Sequence, residues 1–286
     1  MVGEITAERV RLGAELRDLR LRHYPSGSAL ARRLGWGQPK LSKLERGAQL
    51  PTEADLDVWV AATSGDVADR DALAALLADA RASYRAWGDA WRTPAGIVDV
   101  QRGIAAEEKR ASMICEYQPA MLPGLVQTPA YARALLASPG GAALFSGSER
   151  DVEGLVVERV RRQELLYDRD KRIRVLLGEA ALHTRFGDGE VMAGQWDRLL
   201  ALSGVASVEM GVLPFERPHP LIPVSGFSII DDRAAIVESL AGEQTLTAPA
   251  DIASFTAAFE AGMASAVTGD ELRDLVRRVA DGLRPG

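Results

Sequence analysis

Between Ala7 and Gly47 the chain spells three helical stretches and ends each one with a residue that cannot extend a helix. Val10, Leu12, Leu16, Leu19 and Leu21 mostly keep helical spacing up to about Arg22, with charges between them. Tyr24-Pro25 stops that stretch, because the residue before a proline is pushed out of the helical region. Ser26 or Ser28 can cap a second helix carrying Leu30, Ala31 and Leu34, which ends at Gly35. Trp36-Gly37 forms a turn, and a third helix is expected from Gln38 to Arg46, with Pro39 tolerated in its first turn and Gly47 closing it. Thr52 opens a fourth helix through Leu56, Val58, Trp59 and Val60, and a fifth runs from about Val67 to Trp87. The result is a compact, all-helical domain over residues 1–86.

The texture then changes. Residues 87–103, rich in Gly and Pro, break the periodicity and are expected to be a linker. Short β-like runs follow at Ala111–Tyr117, Ile173–Leu177, Ser207–Leu213, Gly226–Ile230 and Ala234–Glu238. Helical stretches separate them at Pro129–Ala137, Asp151–Tyr167, Val191–Leu202, Pro249–Ala264 and Asp270–Leu283. Residues 104–286 are therefore expected to form a second domain of mixed α/β (α+β) class, with a regulatory, partner-binding or dimerisation role.

Charge divides along the same line. The first 50 residues hold ten Lys and Arg against five acids, a net of +5, so the chain's overall −6 leaves −11 on the remainder. A basic module on an acidic body is expected where one end alone meets a polyanion. One cysteine, Cys115, excludes an internal disulfide and leaves multi-cysteine metal patterns short of ligands. Neither a metal nor a cofactor is expected. The apolar runs are too short for a membrane helix and the start of the chain lacks the pattern of a signal peptide, so the expected location is the cytoplasm, with the nucleoid when bound to DNA.

Two short helices joined through a glycine turn, within a basic bundle, form a helix-turn-helix arrangement, whose second helix lies in the major groove of double-stranded DNA. On the third helix Gln38 can present its amide to adenine, Lys40 and Lys43 can reach guanine or phosphate, and Ser42 can bond to either kind of group. Pro39 can touch a thymine methyl. Leu41 and Leu44 point into the bundle, Arg46 is placed for a phosphate, and Arg32 and Arg33 are placed to clamp the flanking backbone.

The run Leu30-Ala-Arg-Arg-Leu-Gly-Trp-Gly-Gln-Pro-Lys-Leu-Ser-Lys-Leu-Glu-Arg-Gly47 resembles the signature of Cro-like, lambda-repressor-like helix-turn-helix regulators. The resemblance implies that Glu45 is structural, in an ion pair with Arg17 or Arg20. That family usually carries a phosphate-binding glutamine where Gly27 stands, which leaves the contact to Ser28 and backbone amides.

The second half contains no G-x-S-x-G, P-loop, H-E-x-x-H or strand-linked G-x-G-x-x-G. Glu179, His183, Arg185, Phe215 and His219 could line a ligand pocket, or else be surface and capping residues that never meet. A lone cysteine on an apolar strand is expected to be core. Four blocks, Met121–Ala132, Val157–Leu166, Val175–Leu182 and Val208–Phe215, resemble the C-terminal domain of a large actinomycete family of antitoxin-like transcriptional regulators. This resemblance implies a small partner protein encoded by a neighbouring gene.

The expectation is a sequence-specific regulator that binds two half-sites about one helical turn apart as a homodimer. The alternative is an antitoxin-like interaction module whose DNA binding serves autoregulation. A catalytic Glu179–His183 pair ranks third, and a non-enzyme is expected.

Overall fold

A computed structural model describes residues 7–86, 96–144, 152–239 and 242–283. The chain divides into two compact units, Met1–Ser83 and Tyr84–Gly286.

The first unit packs α1 (Ala7–Leu21), α2 (Gly27–Leu34), α3 (Gln38–Glu45), α4 (Glu53–Ala62) and α5 (Val67–Arg81) around one core. Leu12, Leu16 and Leu19 of α1 meet Leu30, Leu41, Leu44, Leu56, Trp59, Leu73 and Leu77 there. Val10 and Leu21 are about half exposed, because each lies off the stripe that Leu12, Leu16 and Leu19 trace at helical spacing. Thr52 and Asp55 close a reciprocal cap on α4, each side chain taking the other's backbone N–H at 3.0 Å. Helix α1 approaches α3 backbone to backbone: a side chain at Gly13 would place its Cβ 2.6 Å from the Glu45 carbonyl oxygen. Gly47 adopts φ of 69° and would collide with Arg9 in the same way.

The second unit is built on a mixed sheet. After β1 (Ala82–Ala86) come α6 (Gly96–Arg110), β2 (Met113–Gln118), α7 (Pro129–Ala137), α8 (Pro139–Leu144), α9 (Val152–Arg162), β3 (Arg172–Gly178), α10 (Ala180–His183), α11 (Gly189–Leu202), β4 (Val208–Leu213), β5 (Phe227–Ile230), β6 (Ala234–Glu238), β7 (Gly242–Leu246), α12 (Pro249–Ser265) and α13 (Gly269–Leu283). The strand order is β1-β7-β6-β5-β2-β3-β4. β2, β3 and β4 run parallel, with Glu116 opposite Val175, and the helical crossovers that parallel strands require lie between them. β5, β6 and β7 continue the sheet antiparallel from the other side of β2, with Glu116 opposite Ser228.

Alternation along the strands splits the core in two. Ile114, Ile173, Val175 and Leu177 face a cluster that includes Tyr131, Leu155, Trp196 and Leu275 from the helices. Cys115, Tyr117, Leu176, Phe227 and Ile229 face Ile252, Phe259 and Met263 of α12. Cys115 is thus a buried, free thiol in the sheet, as expected of a core cysteine.

Some boundaries differ from the sequence expectation. Helix α5 ends at Arg81, and 82–86 are strand instead of the helix's last turns. Within the expected linker, residues 87–95 lie outside the described ones, while 96–103 form the first half of α6. The expected helix Asp151–Tyr167 tightens into a 3-10 turn at Gln163–Tyr167.

Candidate functional site

The hydroxyl of Ser26 accepts from the Ala29 amide at 3.3 Å and so starts α2. That settles the open choice of cap and leaves Ser28 exposed in the first turn. Gly27 has a packing reason: a Cβ there would stand 3.0 Å from Leu41 Cδ2, so α2 can begin close against α3. Gly35, at φ of 68°, returns its N–H to the end of α2, and the indole of Trp36 folds back against Trp59 with ring centroids 6.0 Å apart. Pro39 lies in the first turn of α3, where no hydrogen bond is lost.

Helix α3 has three sides. Leu41 and Leu44 are buried. Opposite them Gln38, Pro39, Lys43 and Arg46 are exposed and Ser42 is half-buried. Lys40 lies on the flank: its ammonium donates to Asp55 Oδ1 at 2.6 Å and sits 3.9 Å from the centre of the Trp36 ring. Burial works against the Asp55 charge, but hydrogen bonds from Lys40 and Thr52 outweigh it and hold the carboxyl below its usual range. Arg46 Nε donates to the Ser42 carbonyl at 3.1 Å, which leaves the outer edge of its guanidinium open.

The Glu45 carboxylate is taken by Arg20. Nε donates at 2.5 Å and Nη2 at 3.2 Å, and both side chains are nearly closed to solvent, whereas Arg17 is exposed. Arg20 also donates to the Tyr24 carbonyl at 2.8 Å, so one guanidinium ties the end of α3 to the end of α1. Arg22 pairs with Asp69 at 3.1 Å. Arg32, Arg33, Lys43 and Arg46, by contrast, meet no acidic partner among the described residues, and all four belong to α2 or the end of α3.

In the second unit Glu179, His183 and Phe215 come together. Glu179 Oε2 accepts from the Phe215 amide at 2.7 Å, its Oε1 lies 3.4 Å from His183 Nε2, and the His183 and Phe215 rings stack at 5.8 Å. Glu179 and His183 border an open groove of about 370 Å³ that Pro214, Leu275 and Arg278 help to line. Arg185 is exposed outside this groove, and His219 spends its Nδ1 on the Leu221 amide at 3.2 Å. The structure therefore brings together three of the five residues expected of a pocket. Among the described residues no group of His, Cys, Asp and Glu could hold a metal ion, and no helix is long and apolar enough to cross a membrane.

Two family models match the chain. A helix-turn-helix domain model covers residues 11–73, which hold α2, α3 and the flanking helices, and marks the first unit as the DNA-binding part of a regulator. A domain of unknown function, DUF5753, covers residues 101–278. No curated protein matches the sequence. With the second model spanning more than half of its residues, the chain belongs to the DUF5753 family, its domain joined here to an N-terminal helix-turn-helix domain.

Proposed function

We propose that this protein is a sequence-specific transcriptional regulator that reads DNA through α3 as a homodimer and takes a signal on its second unit. The observation that carries the reading is the division of α3: an apolar inner pair, a fixed Lys40 on the flank, and an outer face whose basic groups meet no acidic partner among the described residues. Gln38 and Ser42 supply base contacts, while Arg46, Lys43, Arg32 and Ser28 supply phosphate contacts that set the register. One short reading helix buries too little surface for high specificity, so two copies on two half-sites are required.

Genome-wide capture of DNA by the purified protein at two salt concentrations tests this. A palindromic site that is lost with Gln38→Ala supports it. Salt-sensitive binding without sequence preference refutes it.

A second reading, an antitoxin-like module holding a small protein from a neighbouring gene, is favoured by one feature. Phe215, Ile222 and Val224 are strongly exposed on a single loop, a patch of the kind that partners cover. Co-purification with the neighbouring gene product tests it. The Glu179–His183 pair takes a structural role in both readings, since one oxygen of the carboxylate already holds the Phe215 amide, and the protein is proposed to be a non-enzyme.

A further inference from the structure

Helix α9 is built inside out. Leu155 and Val156 pack into the core, and helical spacing puts Arg159 and Arg162 on that same inward side, while Val157 is 62% exposed and Val160 39%. The sheet opposite is polar where these arginines approach. Glu116 of β2 and Ser228 of β5 pair across the sheet, and Ser228 pairs with Ile236 of β6. One step along the same ladders, Gln118, Gly226 and Glu238 form a second row on the same face. Gly226 has a purpose there: a Cβ would lie 2.3 Å from Gln118 Oε1, so the glutamine amide occupies the space of the missing side chain.

The charges in this recess are unevenly matched. Arg162 is satisfied by Glu108 of α6, to which it donates through Nε at 2.9 Å and also through Nη2, with both side chains nearly buried. Among the described residues Arg159 reaches a neutral partner, donating through Nη1 to Gln127 Oε1 at 2.8 Å, and forms no ion pair. Glu116, which has a hydrogen bond with Gln118, and Glu238 form none either among the described residues, although burial acts on both, the charge of Glu238 acts on Glu116, and both acids act on Arg159. Nearby, the Tyr131 side chain is fully buried, with the Leu122 backbone beside its hydroxyl. Burial pushes the Glu116 carboxyl up to about 8, reinforced by the charges of Glu108 and Glu238, and lowers Arg159 to about 10, reinforced by Arg162. Glu238 is exposed at the end of β6, yet desolvation raises its carboxyl above the usual range, which places it at the rim of the cluster.

An arginine and two acidic side chains that face one another without an ion pair among the described residues are costly in a folded protein, and the proton held by Glu116 is part of that cost. A molecule between them removes the cost. We propose that Arg159, Glu116 and Glu238 form a binding site for a small zwitterion of the α-amino acid type, whose carboxylate meets the Arg159 fork and whose amine lies between Glu116 and Glu238. Gln127 orients the guanidinium by accepting from it, and is itself fixed by donating to the Leu122 carbonyl at 2.7 Å. The site lies within the DUF5753 match, and its occupancy can be read without DNA.

The test is calorimetric titration of the full-length protein with the twenty standard L-amino acids, with methylamine and acetate as the separate halves of the ligand, at concentrations up to about 10 mM, where even a millimolar site is mostly filled. The expected result is saturable binding of at least one amino acid and of neither half. That binding weakens at least about tenfold in Glu238→Gln and in Arg159→Lys, which keeps the charge and loses the bidentate fork. Circular dichroism checks that both variants fold, and Glu238→Gln, at the mouth of the recess, serves if Arg159→Lys does not. Absence of binding by every amino acid overturns the proposal, as does binding that both variants leave unchanged. Binding of acetate or methylamine alone as tightly as the amino acid also overturns it.

Discussion

Lys40 donates to Asp55 across 2.6 Å while its ammonium rests 3.9 Å from the centre of the Trp36 ring, so a lysine of α3 is spent on the bundle. The sequence places it beside Lys43 as a group for guanine or phosphate. In the structure it couples α3 to α4 and to the turn before α3. Lys40→Met is expected to cost about 1 kcal/mol of stability through the lost pair and ring contact, and to leave the preferred DNA sequence unchanged. Urea unfolding and a selection from random DNA measure the two effects separately. A changed base preference would return Lys40 to the reading face.

Arg46 and Gln38 are expected to fail differently. Arg46→Ala removes a phosphate contact, so it weakens cognate and random DNA alike and lowers the slope of log affinity against log salt by about 0.9. Gln38→Ala costs about 1–3 kcal/mol on the cognate site and little on random DNA. Salt-dependent titrations on both sequences decide. Equal losses from the two substitutions would refute the assignment.

The Arg20–Glu45 pair predicts a large and asymmetric response. Both side chains are nearly closed to solvent, so Glu45→Ala strands the guanidinium and is expected to cost about 3 kcal/mol, whereas replacing both residues by Met costs less. A double-mutant cycle on unfolding free energy measures the coupling. A cost for Glu45→Ala within a few tenths of the experimental error would show that the pair is only a surface contact.

Gly13 makes the tightest approach between α1 and α3. Gly13→Ala must push Glu45 away from α1, because its Cβ would stand 2.6 Å from that residue's carbonyl oxygen. The expected cost is about 1–3 kcal/mol, with DNA affinity falling in parallel as α3 shifts. Thermal unfolding and a binding titration on the same variant check it. A stable variant with undiminished affinity would mean that the two helices have room to part.

Glu116 gives a prediction in pH. Its folded carboxyl titrates near 8 and an ordinary glutamate near 4.5, so the folded state holds a proton that the unfolded state has lost between those values. Stability therefore falls as pH rises from about 4.5 to about 8 and is level in this respect outside that window. Glu116→Gln removes this part of the slope and gains up to a few kcal/mol relative to the parent at the alkaline end. Urea midpoints across this range measure it. An identical slope in the variant would show that Glu116 does not carry the proton. Burial is the main cause of the rise, reinforced by the charges of Glu108 and Glu238 and opposed by Arg162 and the hydrogen bond with Gln118.

Why some of this was legible in the sequence and some was not follows from the kind of signal each part carries. Helices α2 and α3 could be placed because their ends are marked by Ser26, Gly35, Pro39 and Gly47, residues whose backbone preferences act locally. Strands β2 to β6 could be found because apolar β-formers cluster in them. Strand β7, with Gly-Glu-Gln-Thr-Leu, owes its conformation to pairing with β6, and no local propensity announces it. The Lys40–Asp55 contact joins residues 15 apart on different helices, and spacing alone cannot show that. The recess behind α9 did leave a mark in the sequence: Leu155, Val156, Arg159 and Arg162 fall on one helical stripe, so an arginine stands where a core position is due. Its meaning emerges only once β2 and β6 bring Glu116 and Glu238 opposite.

The placement of β2 in the middle of its sheet has a consequence for how the chain is made. β2 ends at Gln118, yet one neighbour begins at Arg172 and the other at Phe227, so one edge stays bare through more than fifty residues of synthesis and the other through more than a hundred. The first unit is a helical bundle whose core cluster draws on residues no later than Ala80. Local contacts form early and distant strand pairings late. On the ribosome, the head that reads DNA is complete while the sheet still waits for its partners, and for that interval the apolar edges of β2 are the part of the molecule that a chaperone would need to cover.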